Sequence, residues 1–378
     1  MNKNYYQAIA TMVGTIIGVG LFSIPFAISK AGLVPLLFLL PVLALVQHQF
    51  HRYYAEIIMA NGMAKHRLPG YVEKYFGGKS KGVTLFVTLL ASYGSLLAYT
   101  IVGGIFFQGL LAPTFGGSLF IYTTVLFAIE ALIVLFGLKL IAKVEFYLTI
   151  LLLLTVGLIV YVCFGKFEST NFIGLDWQYF FLPYGPVFFA VGGDAAIPEV
   201  CRLLAGDKKR IKRAIAWGTF IPAVATLLFA IAVVGVTGGK TSPDTLIGLS
   251  YVLSDDVIRI ALLLGLLAVV TSFITVAQAT KEIFFWDARI DKRISWVLAL
   301  TPPYIFYLFG LHNLTKVVSL TGSVTGGLLG IVLIWLFFKV KNHTEEGAEI
   351  NTRLSKGLAV VMSCFFIAGF LYSLFELI

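Results

Sequence analysis

Three carboxylates stand inside long apolar segments of this sequence: Glu130 in Phe127-Ala-Ile-Glu-Ala-Leu-Ile133, Asp194 in Gly192-Gly-Asp-Ala-Ala-Ile-Pro198, and Glu199 just beyond it. An ionisable side chain at the centre of a bilayer costs roughly 2.5–3.5 kcal/mol on insertion scales, so each is a functional candidate by default. Asp194 has only small and apolar neighbours in sequence; a carboxylate so placed receives an ammonium group, ligates a cation or carries a proton, or else is a structural acid that caps the second half-helix. Glu199 follows Pro198 and also suits the first turn of a helix, where a carboxylate faces the positive dipole end. Glu130 is a candidate for proton coupling or for a structural contact between helices. No basic residue is expected at the depth of these three, which makes protons or Na+ their natural counter-charges.

Two glycine clusters bear on the same chemistry. Gly14-Thr-Ile-Ile-Gly-Val-Gly20 and Gly192-Gly-Asp-Ala-Ala-Ile-Pro198 interrupt apolar segments near their middles. Glycine and proline there break the helical hydrogen-bond ladder, and freed backbone groups must then line a protein cavity because they cannot face lipid. A helix that restarts in mid-membrane points unpaired N–H groups and a positive dipole end at that cavity, which suits a carboxylate. The N–H groups of Val19, Gly20 and Leu21 are the candidate donors, with Gly18 and Gly20 allowing the turn and a close approach. Ala268-Val-Val-Thr-Ser272 places two hydroxyls deep in another apolar segment; they are candidate Na+ ligands or simply bond back to their own helix. Tyr99, in Leu97-Ala-Tyr-Thr-Ile-Val-Gly103, offers a ring and a hydroxyl for closing over a substrate. His48 and His51 read as interfacial histidines at the end of a span, without a carboxylate or cysteine at metal-ligand spacing. No zinc-protease, P-loop, nucleophile-elbow or C-x-x-C pattern occurs, so the chain reads as a non-enzyme without a cofactor or metal centre.

The elements that must hold these residues are membrane spans. Of 378 residues 59% are hydrophobic and 12% charged, against roughly 25% charged in soluble domains. Apolar runs recur from end to end and predict about eleven helices: 6–29, 32–58, 82–111, 118–138, 144–165, 179–205, 213–236, 257–285, 294–310, 313–338 and 356–377. Sorting Lys and Arg by side puts 23 with the N-terminus and the loops after even-numbered spans, and 5 opposite. The positive-inside rule then sets the N-terminus in the cytoplasm and the C-terminus outside, in a plasma or inner membrane. The net charge of +9 is therefore a topology signal and does not imply nucleic acid. Cys163, Cys201 and Cys364 form no disulfide framework. Breaks in the first and sixth spans, the first members of two sets of five, indicate inverted repeats with the binding site between them. The expected division is one transmembrane transporter domain over 1–378, with a first repeat at 1–165, a second at 179–338 and an extra helix at 356–377.

These residues also carry a resemblance. Gly14-Thr-Ile-Ile-Gly-Val-Gly-Leu-Phe-Ser-Ile-Pro25, Ala98-Tyr-Thr-Ile-Val-Gly103, Phe189-Ala-Val-Gly-Gly-Asp-Ala-Ala-Ile-Pro198 and Thr271-Ser-Phe273 are similar, in order and spacing, to helices 1, 3, 6 and 8 of the amino acid/polyamine/organocation superfamily. Within it the chain resembles the hydroxy/aromatic amino acid permeases and the amino acid/auxin permease group. The resemblance implies an all-α LeuT-type bundle of five plus five inverted helices, with helices 1 and 6 broken at mid-membrane. The expected function is secondary active symport of small amino acids, aromatic or hydroxy amino acids among the candidates, by alternating access coupled to Na+ or H+. By position, the substrate carboxylate meets the N–H groups of Val19 and Gly20, and the ammonium meets carbonyls near Thr15, Ile16 and Val191. Gly18, Tyr99, Gly192 and Asp194 complete the substrate set, and the cation positions are Gly14, Ile17, Ala268, Thr271 and Ser272. Asp194 departs from the histidine that bacterial aromatic permeases tend to carry in helix 6, so aromatic specificity and proton coupling are not inherited from the resemblance. An amino-acid sensor without transport, or a metal-ion transporter on the same fold, are the alternative readings; lipid and an amino acid are the expected partners, and no oligomeric state is implied.

Overall fold

Proline and glycine decide where this chain's long apolar segments become helices and where they stop. The computed structural model describes residues 3–136, 141–172, 174–343 and 356–377, and all regular structure among them is helical. The first expected span is two helices, α1 (Lys3–Ile16) and α2 (Val19–Ala31), bent by 45° at Ile17 and Gly18. Then come α3 (Leu33–Ala60), a short α4 (Leu68–Phe76), α5 (Gly78–Phe115), α6 (Leu119–Phe136) and α7 (Ile141–Phe164). The sixth expected span is again divided, into α8 (Tyr184–Ala190) and α9 (Ile197–Leu203), with a tight 3-10 turn at Asp194–Ala196 between them. It is followed by α10 (Lys208–Thr237), a short α11 (Leu246–Ser250), α12 (Asp255–Glu282), α13 (Lys292–Leu308), α14 (Leu314–Val324), α15 (Gly330–His343) and α16 (Lys356–Leu377). A π-helical turn at Thr325–Leu329 joins α14 to α15, so the tenth expected span is one helix with a local bulge, and another at Ile283–Asp287 ends α12.

Among the described residues seven helices are long and apolar enough to cross a membrane, or eight counting the bent pair α1 and α2. The three other expected segments fall on the α8 and α9 pair, on α13 and on α16. Each expected span thus coincides with a helix or a helix pair, with ends shifted by a few residues.

The divided first helix is the centre of the bundle. Ala8, Met12, Ile16, Ile24 and Ile28 pack into one apolar cluster with α3, α8, α9 and α15. Val13, Ile17, Val19, Leu21 and Phe22 pack into a second, with α5, α7 and α12. The four-residue steps within each set are the helical period that gives one helix two buried faces. A helix buried on both sides is held by packing even where its own hydrogen bonds stop, so the break at Gly18 survives.

Candidate functional site

The two breaks meet. A Cβ built on Gly20, in the first turn of α2, would overlap the Cα and Cβ of Ala190 at the end of α8, so the backbones of the divided helices touch there and only glycine fits. At the first break Gly18 N–H turns back to Ile16 O (3.0 Å) and Leu21 N–H to Gly18 O (3.2 Å). Val19 and Gly20 open α2 with no preceding turn to bond, as the first N–H groups of any helix do. On the other side α8 ends at Ala190, with Val191 as its cap, and Gly193 (φ −147°, ψ 17°) is neither helical nor extended before the turn at Asp194.

A cavity of about 160 Å³ lies against both breaks. Thr15, Tyr99, Gly192 and Asp194 of the predicted substrate set line it, together with Phe188, Phe189, Ser92 and Ser95. Ile16 lies just behind, its side chain against Gly193. Val19 and Val191 are fully buried beside it. From the breaks the lining continues past Tyr54 and Ile283 to Arg67, toward the end of the bundle that carries the 61–67 loop. The opposite end is shut. Phe22 packs edge-to-face on Phe106 (5.0 Å between centroids) and Phe229 (5.8 Å), all three buried, and Thr245 Oγ1 donates to Phe22 O.

The predicted cation positions come together between α1 and α12. Ser272 Oγ donates to Gly14 O at 3.1 Å, which ties α12 to α1. Thr271 Oγ1 bonds back to Ala268 O at 3.0 Å within α12. A Cβ on Gly18 would stand 2.9 Å from Ser272 Oγ and 3.1 Å from the Tyr99 ring. Ile17 is buried at the bend itself.

The carboxylates separate. Asp194 reaches the cavity, and Oδ1 has no hydrogen-bond partner among the described residues. Glu130 is fully buried in α6, away from the cavity, with neither oxygen hydrogen-bonded among the described residues. Glu199 does have a basic partner, contrary to the expectation from depth: Arg202, one turn on in α9, holds it at 2.7 Å.

A second correction concerns histidine. His51 is not interfacial; it is fully buried, because α3 runs nine residues past it, about 13 Å at 1.5 Å per residue, and carries it down to the depth of the second break. Gly193 N–H donates to His51 Nε2 (3.1 Å), and His51 Nδ1 lies 3.0 Å from Thr219 Oγ1 of α10. At the mouth, Arg67 donates from Nη1 to Ala195 O (2.9 Å) and from Nε and Nη2 to Glu282 Oε2 (3.0 and 2.6 Å). Asp287 lies 3.0 Å from His66 Nδ1 and accepts Arg67 N–H. Burial works against the Arg67 charge, but the Glu282 carboxylate beside it raises its pKa above the ordinary value. Sequence reasoning assigned no role to His51, Arg67 or Glu282. The one available signal was a set of polar residues, Gln47 to Arg52, inside an otherwise apolar helix.

Known proteins share this chain's sequence pattern and fold. The profile of the Tryptophan/tyrosine permease family matches residues 1–374. Two Haemophilus influenzae proteins, described as tyrosine-specific transport systems 2 and 1, are each 24% identical, over 367 and 361 residues, covering 88% and 89% of this chain and 88% of each relative. The crystal structure of MhsT in complex with L-phenylalanine superposes with a TM-score of 0.73 at 13% identity, covering 99% of this chain and 98% of that one. At that identity the likeness shows the fold, which is the LeuT-type bundle that the resemblance implied.

Proposed function

Since the chain belongs to the Tryptophan/tyrosine permease family, we propose that it is a secondary active transporter of aromatic amino acids, tyrosine first among them, that works by alternating access on a Na+ or proton gradient. The observation that carries this reading is the meeting of two broken helices at a cavity with backbone ends for polar groups and aromatic walls. The substrate carboxylate is held by the N–H groups of Val19 and Gly20, where the α2 dipole favours an anion without a buried cation. Its ammonium faces the carbonyls near Thr15, Ile16 and Val191 and the Asp194 carboxylate. The ring lies among Tyr99, Phe188 and Phe189, and Ser92 and Ser95 offer hydroxyls to a phenol. In sodium-driven transport the ion takes the carbonyls of Gly14, Ile17 and Ala268 and the hydroxyls of Thr271 and Ser272; Glu130 and Glu199 are secondary candidates for proton coupling.

The aromatic seal at one end and the cavity's run to Arg67 at the other correspond to a site shut to the outside and reached from the cytoplasm. That orientation follows the excess of Lys and Arg on the N-terminal side, in a cytoplasmic membrane with the C-terminus outside. The sets 1–165 and 179–338 act as inverted repeats rocking about this site, with 356–377 as an addition.

The test is uptake of labelled L-tyrosine, L-tryptophan and L-phenylalanine, against a panel of other amino acids, into proteoliposomes with Na+ and pH gradients imposed separately. Selective, gradient-driven aromatic uptake is expected, and it should vanish in Asp194→Asn; equal uptake across the panel, or none, would sink the proposal. Under a Na+ gradient, Thr271→Ala with Ser272→Ala should raise the half-saturating Na+ concentration, and an unchanged value removes the sodium site.

A further inference from the structure

Asp194 and His51 face one another across the second break, with Asp194 Oδ1 3.8 Å from His51 Nε2. The histidine ring is fully enclosed, whereas the aspartate side chain is 37% exposed. The hydrogen bonds define the proton's place on the ring. Gly193 N–H donates to Nε2, so Nε2 carries no hydrogen; the ring hydrogen is on Nδ1 and is given to Thr219 Oγ1. A neutral imidazole in that tautomer therefore closes the break. A proton on Nε2 is incompatible with the Gly193 bond, since two donors would face each other.

Resting on the transporter reading above, we infer that His51 and Asp194 form a one-proton site whose loading switches the backbone of the second break. With the proton absent, Nε2 holds Gly193 N–H. When a proton from the solvent-facing side of Asp194 bonds to Nε2, the imidazolium draws the Asp194 carboxylate onto itself and Gly193 N–H is released. When the proton leaves, the Nε2 to Gly193 bond re-forms; one proton is bound and one released, and no other bond changes. A freed buried N–H needs an acceptor, and Gln47, one turn back on α3, supplies one. It is fully buried, both its amide atoms lack partners among the described residues, and its amide lies against the break, with Nε2 3.5 Å from a Cβ built on Gly192, so that a half-turn of the amide presents Oε1 as the acceptor. The break thus has two satisfied arrangements, which is what a switch requires.

The charged and titratable groups around the pair are few. On α3 they are His48, one turn back, and Arg52 and Tyr54, of which Tyr54 lines the cavity with Asp194. From the loop comes Arg67, bonded to Ala195 O next to Asp194. α1 presents Ile16 and α10 presents Thr219, neither titratable. His51 is a positioning residue in this scheme, acting on substrate through the break.

The experiment uses the full chain in proteoliposomes with a trapped pH dye, scored as protons entering per tyrosine. In Na+-free medium the wild type should acidify the lumen on tyrosine addition, with a ratio near one. His51→Gln, whose amide can accept from Gly193 and donate to Thr219 but binds no proton, should lower that ratio at least tenfold. Thr219→Val removes the acceptor of the Nδ1 hydrogen, disfavours the imidazolium, and should move the pH midpoint of tyrosine-driven acidification downward; a merely structural role leaves the midpoint in place. An unchanged ratio in His51→Gln overturns the inference, as does an unmoved midpoint in Thr219→Val, which decides alone if His51→Gln does not assemble. Wild-type tyrosine uptake that follows Na+ with no acidification also overturns it, and leaves the transporter reading standing. Wild-type vesicles that take up no aromatic amino acid under either gradient overturn the transporter reading itself.

Discussion

Gly20 is the residue with least freedom in the site. A methyl there runs into the backbone of Ala190, which cannot swing aside as a side chain would, and overpacking of this kind costs about 1–3 kcal/mol. At Gly18 the same methyl meets Ser272 Oγ and the Tyr99 ring, both side chains. Gly20→Ala should therefore lower tyrosine uptake at least about tenfold, ~1.4 kcal/mol, and Gly18→Ala less, with both proteins still reaching the membrane. Uptake and membrane-fraction immunoblots of the two variants check the order, and wild-type uptake by Gly20→Ala would remove the first break from the site.

The elements that frame the two ends are short segments between spans. At the cavity's mouth the 61–67 loop is tied to α12 and to the second break by Arg67, whose side chain and that of Glu282 are both mostly buried. Removing one member of such a pair leaves the other uncompensated, at about 3–5 kcal/mol. Arg67→Gln should lower the thermal stability of the detergent-purified protein. Arg67→Lys should restore little of it, because an ammonium cannot make the forked contacts to Glu282 and Ala195 together. Equal melting curves for wild type and Arg67→Lys would show that a point charge suffices.

At the other end, the segment after α10 carries Thr245, which bonds Phe22, and Asp244, which caps Ile247 N–H at 3.0 Å and accepts from Ser242. Burial raises the Asp244 pKa, and those hydrogen bonds only partly oppose it. A carboxyl whose folded pKa is raised adds stability that is complete below its unfolded pKa and is lost as pH rises through the folded value. Asp244→Asn, which keeps the acceptor oxygen, should be at least as stable as wild type at neutral pH and lose that advantage in acid. Melting curves across pH check this, and a neutral-pH loss would show that the charge itself is needed there.

At the scale of the whole molecule the decisive property is sidedness. Cys163 and Cys201 are buried and Cys364 is exposed, so a Cys364→Ser background should react slowly with impermeant maleimides. On that background Met63→Cys, in the exposed 61–67 loop, should label only in inside-out vesicles, and Tyr251→Cys, exposed beyond α11, only in right-side-out vesicles. Ser92→Cys, in the cavity, should label with Met63→Cys and be protected by tyrosine. The reverse pattern would invert the orientation read from the basic residues.

Much of this protein was legible in its amino-acid order. A bilayer imposes span length and apolar composition locally, so the helices could be placed within a few residues of where they lie. Glycine and proline break helices through their own backbone chemistry, so Gly18, Gly20 and the Gly192–Pro198 stretch marked the two helix breaks of the candidate site without reference to anything else. Asp194 was identifiable for a similar reason, being a charge that lipid would not tolerate. What only the tertiary structure decided is which distant groups answer these signals. Gly193 meets His51 across 142 residues, Arg67 meets Glu282 across 215, and Ser272 meets Gly14 across 258. Helical periodicity acts over a few residues and says nothing about such pairings. Whether a polar residue on α3 faces lipid headgroups or the second break is fixed by how α3 packs on α8, α9 and α10, and that packing alone turned His51 from a surface histidine into the group that holds the break.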